Sequence, residues 1–391
     1  SASKDKVYGF ESARATSQLP EVDLTRESGE VMHVLNFASY NYLGFGYHPE
    51  VIKAACKATE QYGLGAASAP VLSGTLNIHK QFENNLVDFF ALPNRAVSLF
   101  SSGFGANLGT IQALVKPGSI IILDRSAHMS ILDGARISGA EIKYFNHNDM
   151  DDLEGLLKDL HKLKRRMLIC CEGVYSADGD FGELQEIVSL AKQYGAYTLV
   201  DEAHSTLLAG KNGRGVSEAQ GVLDEVDFYI MTFSKAFSGI GGALLAKPEI
   251  IHYVNWFARC RMFSCALSPG VVGGMLKVLE LAAGEEGRLR RMKLNENARY
   301  MRSLLSGKVN IGPSESWIIP IIYGDEKNTL RINDYLQRNG VDNSMMQFPA
   351  TPKNESRLRL FITSEHTKPQ LDQSAIKILQ TAKKFNFLIN P

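Results

Sequence analysis

Residues 196–205 read AYTLVDEAHS and residues 227–235 read DFYIMTFSK. Each is a short apolar run, rich in β-branched and aromatic residues, that stops abruptly at polar chemistry. Runs of this length and composition form strands buried on both faces, and such strands need helices above and below them. The chain upstream supplies both. RAVSLF (95–100), SIIILD (119–124), EIKYFN (141–146) and RMLICCEG (166–173) repeat the strand pattern. Between them lie helical stretches opening at SSGFGANLG (101–109), SAHMSILDGAR (126–136), MDDLEGLLKDLHKL (150–163) and FGELQEIVSLAKQYG (181–195). GGALLA (241–246) closes the series. Strand and helix in alternation predict an α/β fold with a large, mostly parallel sheet, whose ligands gather at the carboxyl ends of the strands.

Beyond Pro269 the rhythm changes. One long helical segment (273–305) leads to WIIPIIYG (317–324), a helix over 329–340, the strand RLRLFIT (357–363) and a last helix over 368–385. This predicts a smaller C-terminal α+β domain hung on one connecting helix. The expected division is an N-terminal arm over 1–45, a large domain over 46–270, and the connecting helix with the small domain over 271–391.

Composition narrows the partners. Lys and Arg together number 42 and Asp and Glu 42, so the 391-residue chain has no net charge to attract nucleic acid or an anionic membrane. No apolar run approaches the roughly 18 residues of a spanning helix, and the first residues lack a signal-peptide core, so a cytoplasmic protein is expected. Five cysteines are scattered, and the adjacent pair Cys170 and Cys171 points to opposite faces of one strand, which suits neither a metal clip nor a disulfide.

The strand ends carry the chemistry. Lys235 follows an apolar strand, where burial favours the neutral amine that a carbonyl-directed nucleophile requires. Asp201 needs a partner for its carboxylate, and the protonated ring nitrogen of a cofactor is one. Ser102, Gly103 and Phe104 begin a helix whose free amides suit a phosphate, and Thr232 adds a hydroxyl. Taken alone, the glycines also admit a dinucleotide-binding dehydrogenase. Gly103, Gly105 and Gly109 follow a strand and Asp124 ends the next, although the third glycine is displaced by Leu108.

The joint pattern is more specific. VDEAH with TFSK, Lys235 following Asp201 by 34 residues, resembles fold type I pyridoxal 5'-phosphate (PLP) enzymes. NFASYNYLGFGYHPEV (36–51), SGFGANLG (102–109), DRSAHMSILDGAR (124–136), NHNDMDDLE (146–154), CEGVYSADGDFGEL (171–184) and VDEAHSTLLAGKNGRG (200–215) extend the resemblance over nearly the whole chain. Together they are similar to the α-oxoamine synthases, which condense an amino acid with an acyl thioester, release carbon dioxide and form an aminoketone. ASYNYLGF (38–45), FPATP (348–352) and SEHT (364–367) look most like the serine palmitoyltransferase branch.

The resemblance implies an aspartate aminotransferase-like fold, PLP as cofactor and a homodimer. L-serine is the favoured amino acid, with a long or medium acyl group on coenzyme A or acyl carrier protein. Glycine or alanine, as in enzymes like 2-amino-3-ketobutyrate CoA ligase or 8-amino-7-oxononanoate synthase, is the alternative. By the same resemblance Lys235 binds the cofactor and moves the proton at the substrate α-carbon, Asp201 pairs with the ring nitrogen, and His128 stacks over the ring. His204 and Ser176 would bond the ring oxygen, and Ser102, Gly103, Phe104 and Thr232 would hold the phosphate, with Ser264 reaching that of a neighbouring subunit. Asn41 lines the substrate entry and Arg359 takes the substrate carboxylate. Strand alternation alone puts Arg357 and Arg359 on one face and does not choose between them. The chain departs from the family pattern at Pro70, Ala266 and Gln347, where an arginine, a second hydroxyl and another arginine are usual. A non-catalytic partner subunit is the remaining alternative, but such subunits typically lack the lysine that is present here.

Overall fold

A computed structural model describes residues 12–348 and 350–389. It divides into two compact units: His48–Tyr175 with Phe181–Arg288, and the described residues up to Tyr47 with Ser176–Asp180 and those from Leu289 onward.

The larger unit is built on seven strands: β1 (Ala96–Phe100), β2 (Ile120–Asp124), β3 (Glu141–Phe145), β4 (Met167–Glu172), β5 (Tyr197–Asp201), β6 (Phe228–Thr232) and β7 (Gly242–Ala246). Their order is β1-β7-β6-β5-β4-β2-β3. From β6 to β3 all neighbours are parallel, whereas β7 runs antiparallel to both β6 and β1. Strands β2, β4, β6 and β7 are buried at every residue, which is why they read as unbroken apolar runs. Among the helices are α1 (Pro49–Tyr62), α2 (Gly103–Leu114), α3 (Met129–Ser138) and α4 (Pro269–Ala283). Ile111 of α2 and Ile131 of α3 meet Ile121, Leu123, Leu199, Ile230 and Leu244 of the sheet in one core.

The sequence predicted one helix over 273–305, but the structure has two. Helix α4 ends at Ala283 and α5 (Glu285–Leu305) starts after Gly284. At Gly287 a side chain would strike the carbonyl of Ala282, so this turn closes only with glycine. The unit boundary falls at 288/289 rather than 270/271 because α4 packs on α1 through small residues. A Cβ at Gly273 would overlap Ala58, and one at Gly270 would overlap Thr59.

The smaller unit holds two sheets. One runs Ile318–Gly324, Ser356–Phe361, Ser344–Met346, all antiparallel. The other runs Ala13–Arg14, Glu21–Thr25, Val31–Asn36, Val341–Asp342, the last pair parallel. Residues 12–45 therefore belong to the smaller unit and supply three of its strands rather than forming a separate arm; residues 1–11 of that arm lie outside the described residues. Helices Glu326–Arg338 and Lys368–Lys384 complete this unit. Two segments remote in sequence, NFASYNYLGF and SEHT, are joined here. Phe37 stacks on His366 with ring centroids 4.3 Å apart, and the amide of Ser364 donates to the carbonyl of Tyr42 at 2.8 Å. Among the described residues no helix is long and apolar enough to cross a membrane, and all five cysteines are free.

His366 gives the smaller unit a pH dependence. Its Nδ1 accepts from the Thr363 amide at 3.0 Å and its Nε2 lies 3.2 Å from the Asn36 carbonyl, which suits a neutral ring. Burial depresses its pKa to about 4 from 6.5. The unfolded chain therefore takes up the proton first as pH falls. The stability contributed by the neutral ring is fully present above about pH 6.5 and is lost on descent through pH 4, roughly 3 kcal/mol in all. Urea unfolding of wild type and His366→Gln at pH 7 and pH 4 checks this. The variant should start less stable and lose less between the two pH values.

Candidate active site

In the larger unit the carboxyl ends of β4, β5 and β6 carry Glu172, Asp201 and Thr232. Asp201 is 4 % exposed, and its Oδ1 accepts from the Ala203 amide at 2.9 Å. Its Oδ2 accepts from Asn107 Nδ2 of α2 at 2.6 Å. Glu172 lies beside it in register on the neighbouring strand. Burial, and then the charge of Asp201, push the Glu172 carboxyl well above the usual range, opposed by the amide of His128 and by Lys235. His128 caps α3: its amide donates to Glu172 Oε1 at 2.6 Å, and its Nδ1 lies 2.7 Å from Ser130 Oγ. The Phe104 ring meets the His128 ring edge-on at 6.3 Å. His204 is buried in the turn after β5.

Lys235 was expected at the end of a buried strand. Instead β6 ends at Thr232, and Lys235 sits half-buried in the loop that returns the chain to β7. That loop is pinned by the Phe233 amide on the Gly241 carbonyl at 2.9 Å and the Gly239 amide on the Phe233 carbonyl at 2.7 Å. The ammonium therefore escapes the full cost of strand burial, while its backbone is fixed by buried Phe233 and Phe237.

Helix α2 begins against the end of β6. A Cβ at Gly103 would lie 2.7 Å from both Cβ and Oγ1 of Thr232, so only glycine allows this approach. Ser102 Oγ accepts from the Gly105 amide at 2.9 Å, and the amides of Gly103 and Phe104 have no acceptor within the helix. Two helix-start amides beside a threonine side chain fit a phosphate, and a buried carboxylate on the next strand fits a ring cation. The residues present therefore fit PLP. They do not fit a dinucleotide. Gly109 is inside α2, packed on Cys260 and Phe100, and Asp124 is already taken by His147 at 2.9 Å, Tyr175 at 3.0 Å and two backbone amides. Ser264 follows the short helix Arg259–Met262 in a half-exposed position.

Ser176, Asn41 and Arg359 belong to the smaller unit. Arg357 and Arg359 are both buried on strand Ser356–Phe361, yet their charges are treated differently. Arg357 is ion-paired with Asp178 and, at 3.2 Å, with Glu355. Arg359 donates to the Ser176 carbonyl at 2.8 Å and to Ser344 Oγ at 3.0 Å, its Nε has no partner, and no carboxylate pairs with it among the described residues. Asn41 Oδ1 accepts from the Gly46 amide at 3.2 Å.

Sequence reasoning passed over Asn107, Ser130 and Glu172. Asn107 and Ser130 sit within the quoted motifs, but helical spacing there marks only an apolar face, and Glu172 ends a strand as inconspicuously as Asp124 does.

Fold and site define a PLP-dependent transferase of fold type I. Residues 32–378 match the family described as aminotransferase class I and II, and the chain belongs to that family, in its α-oxoamine synthase branch. It is 36% identical over 389 residues to the 8-amino-7-oxononanoate synthase of Alkaliphilus oremlandii, covering 98% of each chain. It is 35% identical over 364 residues to the serine palmitoyltransferase of Sphingobacterium spiritivorum, covering 92% of this chain and 90% of that one. A solved structure of serine palmitoyltransferase from S. paucimobilis, holding a PLP–myriocin aldimine, matches with TM-score 0.90 and 32% identity over 98% of this chain and 97% of that chain.

Proposed function

We propose that this α-oxoamine synthase condenses L-serine with a long- or medium-chain acyl thioester of coenzyme A or acyl carrier protein, releasing carbon dioxide and the free thiol and forming an aminoketone. The observation that carries the family chemistry is the meeting of Asp201, His128, Thr232 and the start of α2 at the carboxyl edge of one sheet. PLP, when bound, supplies an electron sink for the charge left at the α-carbon as the carboxylate departs. In this reading the α2 amides and Thr232 bind its phosphate, with Ser102 and, from a neighbouring subunit, Ser264. Asp201 keeps its ring nitrogen protonated, and His204 and Ser176 hold the ring oxygen. Lys235 attaches the cofactor and then takes and returns the proton at the α-carbon. His128 covers the ring, Arg359 anchors the amino acid carboxylate, and Asn41 borders its entry.

Serine is favoured by the joined NFASYNYLGF and SEHT segments and by the fit to a serine palmitoyltransferase structure. A second reading rests on the relatives named 8-amino-7-oxononanoate synthase. That product carries a methyl group on the amino carbon, which alanine supplies and serine does not. We also read the chain as a homodimer. Leu64, Leu72 and Phe263 of the larger unit are each about four-fifths exposed, a cost that an apolar partner face removes.

Mass spectrometry of products formed by the holoenzyme from L-serine, L-alanine and glycine, each with a set of acyl thioesters, tests the substrate reading. A hydroxymethyl aminoketone from serine is expected. A methyl aminoketone formed only from alanine would replace the first reading by the second, and light scattering of the same samples reports the assembly.

A further inference from the structure

The larger unit contains a directional hydrogen-bond chain that none of the assigned roles uses. We propose that Asn107 and Ser130 are positioning residues, which tie the His128 ring to Asp201 and hold it as the tautomer with its proton on Nε2. The proposal rests on the reading of Asp201 and His128 as cofactor-facing groups.

The direction follows from which atoms can donate. Asn107 and Ser130 are both buried. Asn107 Nδ2 has two hydrogens; one reaches Asp201 Oδ2 at 2.6 Å and the other Ser130 Oγ at 3.0 Å. Turning the amide over would set its oxygen against the Asp201 carboxylate, two acceptors with no proton between them, so Asp201 fixes the orientation. The consequence is visible: Asn107 Oδ1 is buried without a hydrogen-bond partner among the described residues. A fold keeps such an orphaned oxygen where the opposite end of the amide is needed.

Ser130 Oγ accepts from Asn107, and because the Ser130 amide makes His128 Nδ1 an acceptor, the hydroxyl gives its own proton to that nitrogen at 2.7 Å. The Ser130 amide points to the same nitrogen at 3.3 Å. Two donors at Nδ1 leave no room for a proton there, so the ring proton resides on Nε2. The His128 amide on Glu172 Oε1 at 2.6 Å holds the base of the side chain. The result is a ring whose outer nitrogen is a hydrogen-bond donor. A donor suits an amino acid carboxylate; an acceptor there would repel it.

The test is nitrogen NMR of protein carrying 15N-labelled histidine, with and without PLP. The parent should show His128 with bare Nδ1 and protonated Nε2 in both states. Ser130→Ala and Asn107→Leu should each bring a measurable fraction of the Nδ1-protonated tautomer, and Ser130→Thr, which keeps the hydroxyl, should restore the parental signals. In the condensation assay both disruptive variants should lower kcat about tenfold, the effect of one neutral hydrogen bond, with the thioester KM unchanged. If Ser130→Ala does not fold, Ser130→Cys provides the comparison. A parent ring protonated on Nδ1, or parental signals retained in both disruptive variants, overturns the proposal. Failure of the underlying functional reading shows separately, as absence of PLP trapping and of condensation by the parent, whatever the NMR result.

Discussion

Lys235→Ala should retain PLP yet lose condensation below detection, and borohydride should no longer fix the cofactor to the chain. Retention is expected because the proposed phosphate and ring contacts lie elsewhere, on the α2 amides, Thr232 and Asp201. Loss is expected because the proposed role gives one amine two tasks, attachment of the cofactor carbonyl and proton transfer at the α-carbon. The loop from Phe233 to Gly241 holds that amine close enough to Glu172 for their charges to interact. Removal of a group that is both nucleophile and base should cost several orders of magnitude in kcat. The measurement is peptide mapping after borohydride reduction, parent against variant. Cofactor recovered on a peptide that lacks residue 235 would move the assignment to another lysine.

The second large effect is expected at Arg359. Truncating one member of a desolvated charge-assisted pair costs roughly 2 to 5 kcal/mol, so Arg359→Ala should raise the amino acid KM by about two orders of magnitude or more. Arg359→Lys should recover only part of this, since an ammonium lacks the planar fork. The neighbouring arginine is the control. Arg357 is buried against the carboxylates of Asp178 and Glu355, so Arg357→Ala should lower thermal stability by leaving them unpaired, with a smaller effect on amino acid binding. Gln347→Ala, which removes at most a neutral hydrogen bond, should cost on the order of 1 kcal/mol. Spectral titration with L-serine, glycine and L-alanine measures all four. If Arg357→Ala abolishes binding while Arg359→Ala titrates like the parent, the carboxylate anchor is the other arginine.

The pair of arginines shows where sequence reading stops. Alternation along RLRLFIT assigns both to one face, and no local pattern separates them. What separates them is charge compensation by Asp178 and Glu355, and Asp178 is remote in the chain. The same limit applies to Asn107. Its place in α2 is legible from helical spacing, but its bond to Asp201 crosses 94 residues of sequence.

Other features needed no tertiary information. Buried parallel strands must be apolar along their whole length, so β2, β4, β5 and β6 announce themselves as short apolar runs, and the residues at their ends mark the edge where chemistry collects. The antiparallel direction of β7 was not readable, because an apolar run carries no record of its neighbour's polarity. The break at Gly284 was not readable either. Apolar spacing continues across it, and only the close approach of residue 287 to the Ala282 carbonyl requires two helices in place of one. Likewise the parallel pairing of Val31–Asn36 with Val341–Asp342, which draws the N-terminal segment into the smaller unit, exists only in the folded chain. By itself the sequence determined the layer architecture and the residue types at the strand ends, since these depend on local periodicity, and it pointed to the family through the resemblance of its motifs. Only the tertiary structure decided which buried charges are compensated, which groups meet at His128 Nδ1 and how the N-terminal segment is placed, since each depends on atoms brought together by the folded chain.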